Sequence, residues 1–207
     1  MNTNHTPVVN IRYAKVSDDF LTIARCLYLT DPFIYPAAFG HDEARAMHAI
    51  VPLMQIDGNL FDYRRLIVAT VDDQVKGVLM YSEQGITWNQ NACDAAVTGS
   101  IPNLSAFQYV SQAYFSQAAS ISSANHIEIV ACCVAPEARR HGLATLLFQY
   151  IIKTKPSFTM SLDVLASNHA AISLYSKFGF VVTNSYKGFS MNRDTLPDCY
   201  HMKLDTQ

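Results

Sequence analysis

The segment Arg139-Arg140-His141-Gly142-Leu143-Ala144 sets two fixed positive charges, a glycine and a small residue where an apolar β-rich run gives way to a helical pattern. The first turn of a helix carries backbone N–H groups without intrahelical partners, and its dipole adds partial positive charge. Together these bind anions. Gly142 lets the backbone approach an anion closely, Ala144 avoids crowding it, and the guanidinium groups stay charged at any working pH. The chemistry implied is the holding of a pyrophosphate. Taken alone, the segment fits an ordinary strand–helix turn with solvated arginines equally well, because one glycine is a weak signal.

The cysteines point to no chemistry of their own. Cys26, Cys93, Cys132, Cys133 and Cys199 are odd in number and form no C-x-x-C pair. Cys132 and Cys133 are neighbours on a strand, so they point to opposite faces. No zinc or other metal site and no disulfide framework is expected; reduced thiols in a cytoplasmic protein are.

The elements that position these residues follow from pattern. Val8 to Lys15 alternates weakly and ends at Ser17-Asp18-Asp19, a helix start. Phe20 to Leu29 carries apolar residues at helical spacing and stops at Asp31-Pro32. The aromatic, proline-kinked Phe33-Ile34-Tyr35-Pro36 reads as a loop. A second helix opens at His41-Asp42-Glu43 and runs to about Ile56. Leu66 to Val71 and Gln74 to Tyr81 form a hairpin around Asp72-Asp73. Ala95 to Asn125 has no charged side chain, and within it Leu104, Phe107, Val110, Tyr114 and Ala118 share a helical face. This reads as an extra helix flanked by polar loops.

Glu128 to Val134 is a strand, broken by Pro136. A helix follows from about Leu143 to Lys153, then a strand over Thr159 to Leu165. Ser167-Asn168 caps the next helix, and Gly179 ends it. Phe180 to Thr183 and Cys199 to Leu204 close the sheet. The strand–helix–strand unit implies a parallel pair with a right-handed crossover, and the preceding hairpin implies antiparallel pairing. The expected fold is therefore α/β: a mixed, mostly antiparallel central sheet with one parallel strand pair and helices on both faces.

With 207 residues, half of them hydrophobic, the chain is one domain over 1–207 with a sizeable core. Its net charge of −2 excludes a nucleic-acid or anionic-membrane surface as its main feature. The polar start, Met1 to Asn10, lacks a signal pattern, and no uncharged stretch is apolar enough to span a bilayer.

A second motif follows the first. The spacing Arg-x-x-Gly-x-Ala after Glu-Ile-Val-Ala-Cys-Cys-Val-Ala-Pro resembles the coenzyme-A motif of the GNAT superfamily of N-acetyltransferases. Asn168-x-x-Ala171-x-x-Leu174-Tyr175-x-x-x-Gly179-Phe180 resembles that superfamily's second motif helix. The resemblance spans His126 to about Thr183, a little over a quarter of the chain. His141 departs from a frequent lysine or arginine, and Cys132 and Cys133 from aliphatics, which makes the phosphate site slightly less positive.

The resemblance implies a splayed parallel strand pair, often helped by a β-bulge, whose gap the pantetheine arm of acetyl-CoA fills like a short strand. Backbone groups of Cys132, Cys133 and Val134 would hold that arm, and an N–H near Cys132 would polarise the thioester carbonyl. Arg139, Arg140, His141, Gly142, Leu143, Ala144 and Thr145 would hold the phosphates, although Thr145 equally fits a plain helix residue. Asn168 is a helix cap first and a cofactor contact second. Tyr175 stands where the family often has the acid that protonates the leaving thiolate; otherwise it is a core aromatic. Glu128 resembles the base of protein-acetylating members. By parity it shares a face with Val130, Cys132 and Val134, where apolar neighbours would raise its pKa. A solvated charge at a strand end is the equal alternative. His126 is either a water-linked base or a surface histidine.

An insertion at about 84–125 exceeds the hairpin connection expected between two strands. Its aromatics, Trp88, Phe107, Tyr109, Tyr114 and Phe115, suit the wall of a site for a neutral or modestly apolar amine. The alternative is a cover for the sheet or a homodimer contact. The activity implied is acetyl-CoA-dependent N-acetylation of a small or amino-acid-like amine by direct attack in a ternary complex. Acetylation of a protein lysine or N-terminus, and a non-catalytic acyl-CoA-binding module, are the alternatives.

Overall fold

A computed structural model describes residues 6–121, 123–188, 190–191, 194–195 and 197–204. In chain order the elements are β1 (Val9–Tyr13), α1 (Phe20–Tyr28), α2 (Ile34–Phe39), α3 (Glu43–Leu53), β2 (Ile67–Val71), β3 (Gln74–Ser82), α4 (Gln90–Val97) and α5 (Leu104–Val110). A π-helical turn, Ser111–Phe115, joins α5 to α6 (Ser116–Ala119). Then come β4 (His126–Val134), α7 (Leu143–Thr154), β5 (Thr159–Leu165), α8 (His169–Lys177), β6 (Val181–Tyr186), β7 (Ser190–Met191), β8 (Asp194–Thr195) and β9 (Cys199–Leu204).

Seven strands form one sheet in the order β1-β2-β3-β4-β5-β9-β6, and β7 pairs with β8 alone. Among the described strands of this sheet, only β4 and β5 are parallel; the other neighbours are antiparallel. Helices α1 to α6 cover one face and α7 and α8 the other, each over its own hydrophobic core. The expected mixed sheet with helices on both faces is what forms.

Two irregularities in β4 shape everything that follows. Its parallel pairing with β5 runs only from His126–Thr159 to Ile129–Leu162. Beyond that, β4 stays beside β3 to Val134 while β5 stays beside β9 to Leu165, so a wedge opens between them. On its other edge, β4 pairs Ala131 with Met80 and Ile129 with Tyr81, which leaves Val130 without a partner on β3. An extra residue of this kind is a β-bulge, and it reverses the side-chain alternation. Ile127 and Ile129 accordingly enter the core under α7, whereas Ala131 and Cys133 enter the core under α1 to α6. Cys132 and Val134 pack on the α7 side. Simple parity had put Glu128 with Cys132 and Val134; the bulge puts them on opposite faces.

Two local expectations are corrected. Residues 33–36 are not a loop: α2 begins at Ile34, with the Asp31 carboxylate accepting from the amides of Phe33 and Ile34, both at 2.7 Å. Pro36 is tolerated there because first-turn amides have no intrahelical acceptor. The insertion holds α4 as well as the expected helix, and it is largely core. Phe107 and Phe115 are fully buried among Tyr35, Phe39 and Phe61. Trp88 packs on Phe61 and Phe115, and Tyr109 is exposed. Of the five aromatics, only Tyr114 lines the cleft described below. The insert therefore covers the sheet first.

Candidate active site

The helix starts differ in a telling way. Asp19, Asp42, Asn89, Asn103 and Asn168 each cap the following helix with a side-chain oxygen. Helix α7 starts at Gly142 with no side-chain cap. None of the amides from Arg140 to Thr145 has a hydrogen-bond partner among the described residues. Arg140 and Gly142 both sit at positive φ, 67° and 80°, a local arrangement that turns successive N–H groups toward one concavity and makes an anion nest. A Cβ built on Gly142 meets nothing within 4 Å, so the space above the turn is open. For a non-glycine residue the left-handed backbone at Arg140 costs about 1–2 kcal/mol, a strain that accumulates at functional turns.

The other residues around the turn divide by role. Arg139 donates through Nε to the Val134 carbonyl at 3.0 Å and so ties the turn to the end of β4. His141 is exposed and its Nδ1 lies 3.4 Å from the Ala138 carbonyl oxygen. Leu143 is buried in the core, so only its backbone can meet a ligand. Ala144 and Thr145 follow it in the open first turn. Asn168 caps α8 through Oδ1 to the Ala171 amide at 3.2 Å, at the far side of the wedge.

Within the wedge, β4 residues 130–134 show their backbone edge to no neighbouring strand on the β5 side. This is the stretch holding Cys132, Cys133 and Val134. Cys132 faces α7 and α8, where burial pushes its thiol up to about 12. Tyr175 of α8 packs its ring on Phe148, with centroids 5.0 Å apart. Burial also pushes the Tyr175 phenol well up, and the neighbouring Cys132 adds to the rise. Its hydroxyl has no hydrogen-bond partner among the described residues, so a protonated phenol stands beside the wedge. Cys133 points the other way, toward Cys26 under α1.

Glu128 looks into a cleft on that opposite face. Two adjoining cavities, of about 250 and 580 Å³, share Tyr114, Gln117, Asp163 and Tyr186. Glu128 and His201 line the smaller, and Asp31 the larger. Burial pushes the Glu128 carboxyl up; a hydrogen bond from Ser161 Oγ to its Oε2 opposes this, and Asp163 adds to the rise. His126 Nε2 lies 3.7 Å from the same oxygen. Asp163 and His201 are cross-strand partners with Oδ1 and Nδ1 2.7 Å apart. One atom each of Glu128, Asp163 and His201 falls within 4.8 Å of the others. The rim lysine, Lys187, is bound to Asp198 at 2.8 Å. The cleft is thus walled by carboxylates and aromatic rings, which favours a cation carrying an apolar stem. The uncharged insert suits a neutral or modestly apolar amine, and the carboxylates of the cleft come from the sheet and from Asp31.

Glu128 lies in the last paired stretch of β4 and faces the cleft, the 132–134 backbone borders the wedge, Tyr175 packs near Cys132 on the α7 side, and residues 139–145 follow the end of β4. Sequence reasoning missed Ser161, Asp163 and His201. The signal was there in β5, which reads Thr-Met-Ser-Leu-Asp-Val-Leu with a polar residue at every second position. Those polar positions share a face. The strand register then sets Ser161 against Glu128 and Asp163 against His201.

Comparison with known proteins bears on the family and the fold. The family described as "Acetyltransferase (GNAT) family" matches residues 33–180. No curated protein matches the chain by sequence. Among solved structures, an N-acetyltransferase from Staphylococcus aureus Mu50 is similar at TM-score 0.63 and 18% identity, covering 94% of this chain and 100% of that one. The ribosomal-protein-S18-alanine N-acetyltransferase of Escherichia coli is similar at 0.55 and 17%, covering 97% and 95%. Arabidopsis thaliana Naa50, solved with the bisubstrate analogue CoA-Ac-MVNAL, is similar at 0.54 and 13%, covering 95% and 98%. At these identities the likeness is one of fold.

Proposed function

Because the chain belongs to the GNAT acetyltransferase family, we propose that it is an acetyl-CoA-dependent N-acetyltransferase whose acceptor is a small amine arriving as an ammonium ion. One observation carries the reading. The bulge at Val130 places Glu128 on the cleft side of β4 and Cys132 on the Tyr175 side, with the open wedge between them. Amine and thioester approach from opposite faces and meet where the sheet is parted.

The residues divide the work accordingly. The diphosphate of acetyl-CoA accepts from the free amides of residues 140–145, with Arg140 adding charge. The pantetheine arm lies along 132–134 and completes the backbone pairing that β5 abandons. Glu128 takes a proton from the ammonium, since only the free amine has a lone pair with which to attack. A backbone N–H of β4 stabilises the tetrahedral oxyanion. Tyr175 gives its phenolic proton to the departing thiolate, and the second proton that the attacking nitrogen loses as the tetrahedral adduct collapses restores the phenol. The attack is direct, with no acetylated enzyme intermediate.

The test is thiol release from acetyl-CoA across a panel of small primary amines and peptide N-termini. Turnover with cationic small amines, and with none of the peptides, is expected. Transfer to peptide N-termini alone would replace the small-molecule reading, and tight CoA binding with no turnover on any amine would replace catalysis with sensing. Free cysteines suit a reducing compartment, and we place the reaction in the cytoplasm, with a homodimer possible in principle as the acting form. Among the described residues, no helix is long and apolar enough to cross a membrane.

A further inference from the structure

The parallel register of β4 and β5 sets His126 against Thr159 and Glu128 against Ser161. Their side chains form one continuous chain. Ser161 Oγ bonds Glu128 Oε2 and lies 2.7 Å from His126 Nε2. His126 Nδ1 lies 3.1 Å from Thr159 Oγ1, whose hydroxyl donates to the Asn125 carbonyl at 3.2 Å. Ser161 is buried at 1% exposure, while the side chains of Glu128 and His126 keep 19% and 21%. Glu128 opens into the cleft, which a bound acceptor would fill, whereas His126 does not line that cleft, so the chain leads from the candidate base to an imidazole with an opening of its own.

We propose that Ser161 and His126 form a proton exit for Glu128, carrying to bulk water the proton that Glu128 removes from the acceptor ammonium. This rests on the N-acetyltransferase reading above. Ser161 has a single hydrogen, so the chain admits two arrangements with the same heavy-atom positions. In one, the Glu128 carboxylate accepts from Ser161, and Ser161 accepts from an imidazolium Nε2–H. In the other, a Glu128 carboxylic acid donates to Ser161, and Ser161 donates to the bare Nε2 of neutral His126. Nδ1–H donates to Thr159 in both.

The cycle balances. From the carboxylate–imidazolium arrangement, the ammonium N–H bond breaks and an O–H bond forms on Glu128. The imidazolium ring then swings from Ser161 to the solvent side, releases its Nε2 proton to water and returns neutral, leaving the acid–imidazole arrangement. Two hops, Glu128 to Ser161 and Ser161 to His126, restore the starting state. One proton enters from the amine and one leaves to water in each turnover, and no electrons are transferred. Burial raises the Glu128 carboxyl and lowers His126, which draws the two proton affinities together, as a reversible relay needs. The other titratable groups facing the pair are Asp163 on β5 and His201 and Lys203 on β9; across the cleft stands Tyr114, whose phenol is held protonated by burial.

Two measurements test this. In Ser161→Ala and His126→Gln, kcat should fall about tenfold or more, KM for acetyl-CoA and amine should hold, and the ascending limb of the pH–rate profile should move. The wild-type proton inventory in mixed H2O and D2O should bow and become linear in Ser161→Ala. Unchanged kcat and profile in both variants overturns the relay while leaving the activity intact. Independently of turnover, an NMR titration of the His126 ring should shift on Glu128→Gln and lose that coupling in Ser161→Ala. A His126 titration indifferent to Glu128 overturns the relay, whereas an inactive wild type with a coupled titration overturns only the acetyltransferase reading.

Discussion

Glu128 and Cys132 lie four positions apart on one strand and face opposite sides of the sheet, because Val130 is an extra residue opposite Met80 and Tyr81. On a regular strand, residues separated by an even number share a face. The bulge breaks that rule where the strand leaves its parallel neighbour. In the reaction proposed above, it is what would let a base on one face and a proton donor on the other act at one carbonyl carbon.

Replacing Glu128 with Gln should lower kcat by about tenfold to a thousandfold and remove the rise of activity with pH. The sign follows from burial. A carboxyl raised above its ordinary range ionises only as pH climbs through that raised value, so the wild-type rate grows across it. The same shift makes the ionised form unfavourable in the fold, so Glu128→Gln should be the more stable protein at neutral pH. That gain should vanish below the ordinary carboxyl range, where both states hold a neutral Glu128. An unaltered pH–rate profile would remove Glu128 from the mechanism.

Tyr175→Phe should reduce kcat about tenfold to a hundredfold with little change in KM. Burial holds the phenol protonated beyond the ordinary tyrosine range, so the alkaline fall of the wild-type profile should lie above that range. Equal turnover in wild type and variant would make water the proton donor.

The left-handed backbone at Arg140 and Gly142 separates stability from binding. Gly142→Ala should cost about 1–2 kcal/mol of stability, because only the backbone is strained and no atom blocks the Cβ. Acetyl-CoA affinity should drop roughly tenfold, since the added carbon stands where the anion approaches. Arg140→Gly should do the reverse for stability, raising it by about 1 kcal/mol through relief of the positive φ. It should still weaken acetyl-CoA through loss of a guanidinium. Calorimetric titration and thermal unfolding read both quantities, and undiminished affinity in both variants would discredit the phosphate turn.

Phe115→Ala should destabilise the protein by about 3–5 kcal/mol. The ring is fully buried and touches Tyr35, Phe39, Phe61 and Trp88. A change below about 1 kcal/mol, well under the usual cost of such a cavity, would make the insert a detachable lid rather than part of the core.

The turn at residues 139–145 was legible as a strand–helix junction because its signal is local: a glycine, two arginines and a helix start are all read from one short segment. So was the succession of elements after Glu128, since the helix caps and strand periods there agree. The face of Glu128 was not legible, because a bulge is set by pairing with β3 and leaves no mark in the alternation of β4 itself. Pro36 hid α2, whose start depends on Asp31 supplying acceptors from outside the helix. Ser161 and His201 became meaningful only through register with strands distant in sequence. The aromatics of the insert were visible, but which of them turn inward depends on the π-helical turn at Ser111–Phe115. That turn carries one residue more per turn than an α-helix and sends Phe115 into the core while Tyr114 faces the cleft.

The most direct test is a crystal structure of the protein with coenzyme A. The account predicts the diphosphate on the amides of residues 140–145 and the pantetheine arm alongside 130–134 in the wedge between β4 and β5, its thiol between Glu128 and Tyr175. Coenzyme A bound at another surface, with the wedge closed by direct pairing of the two strands, would contradict it.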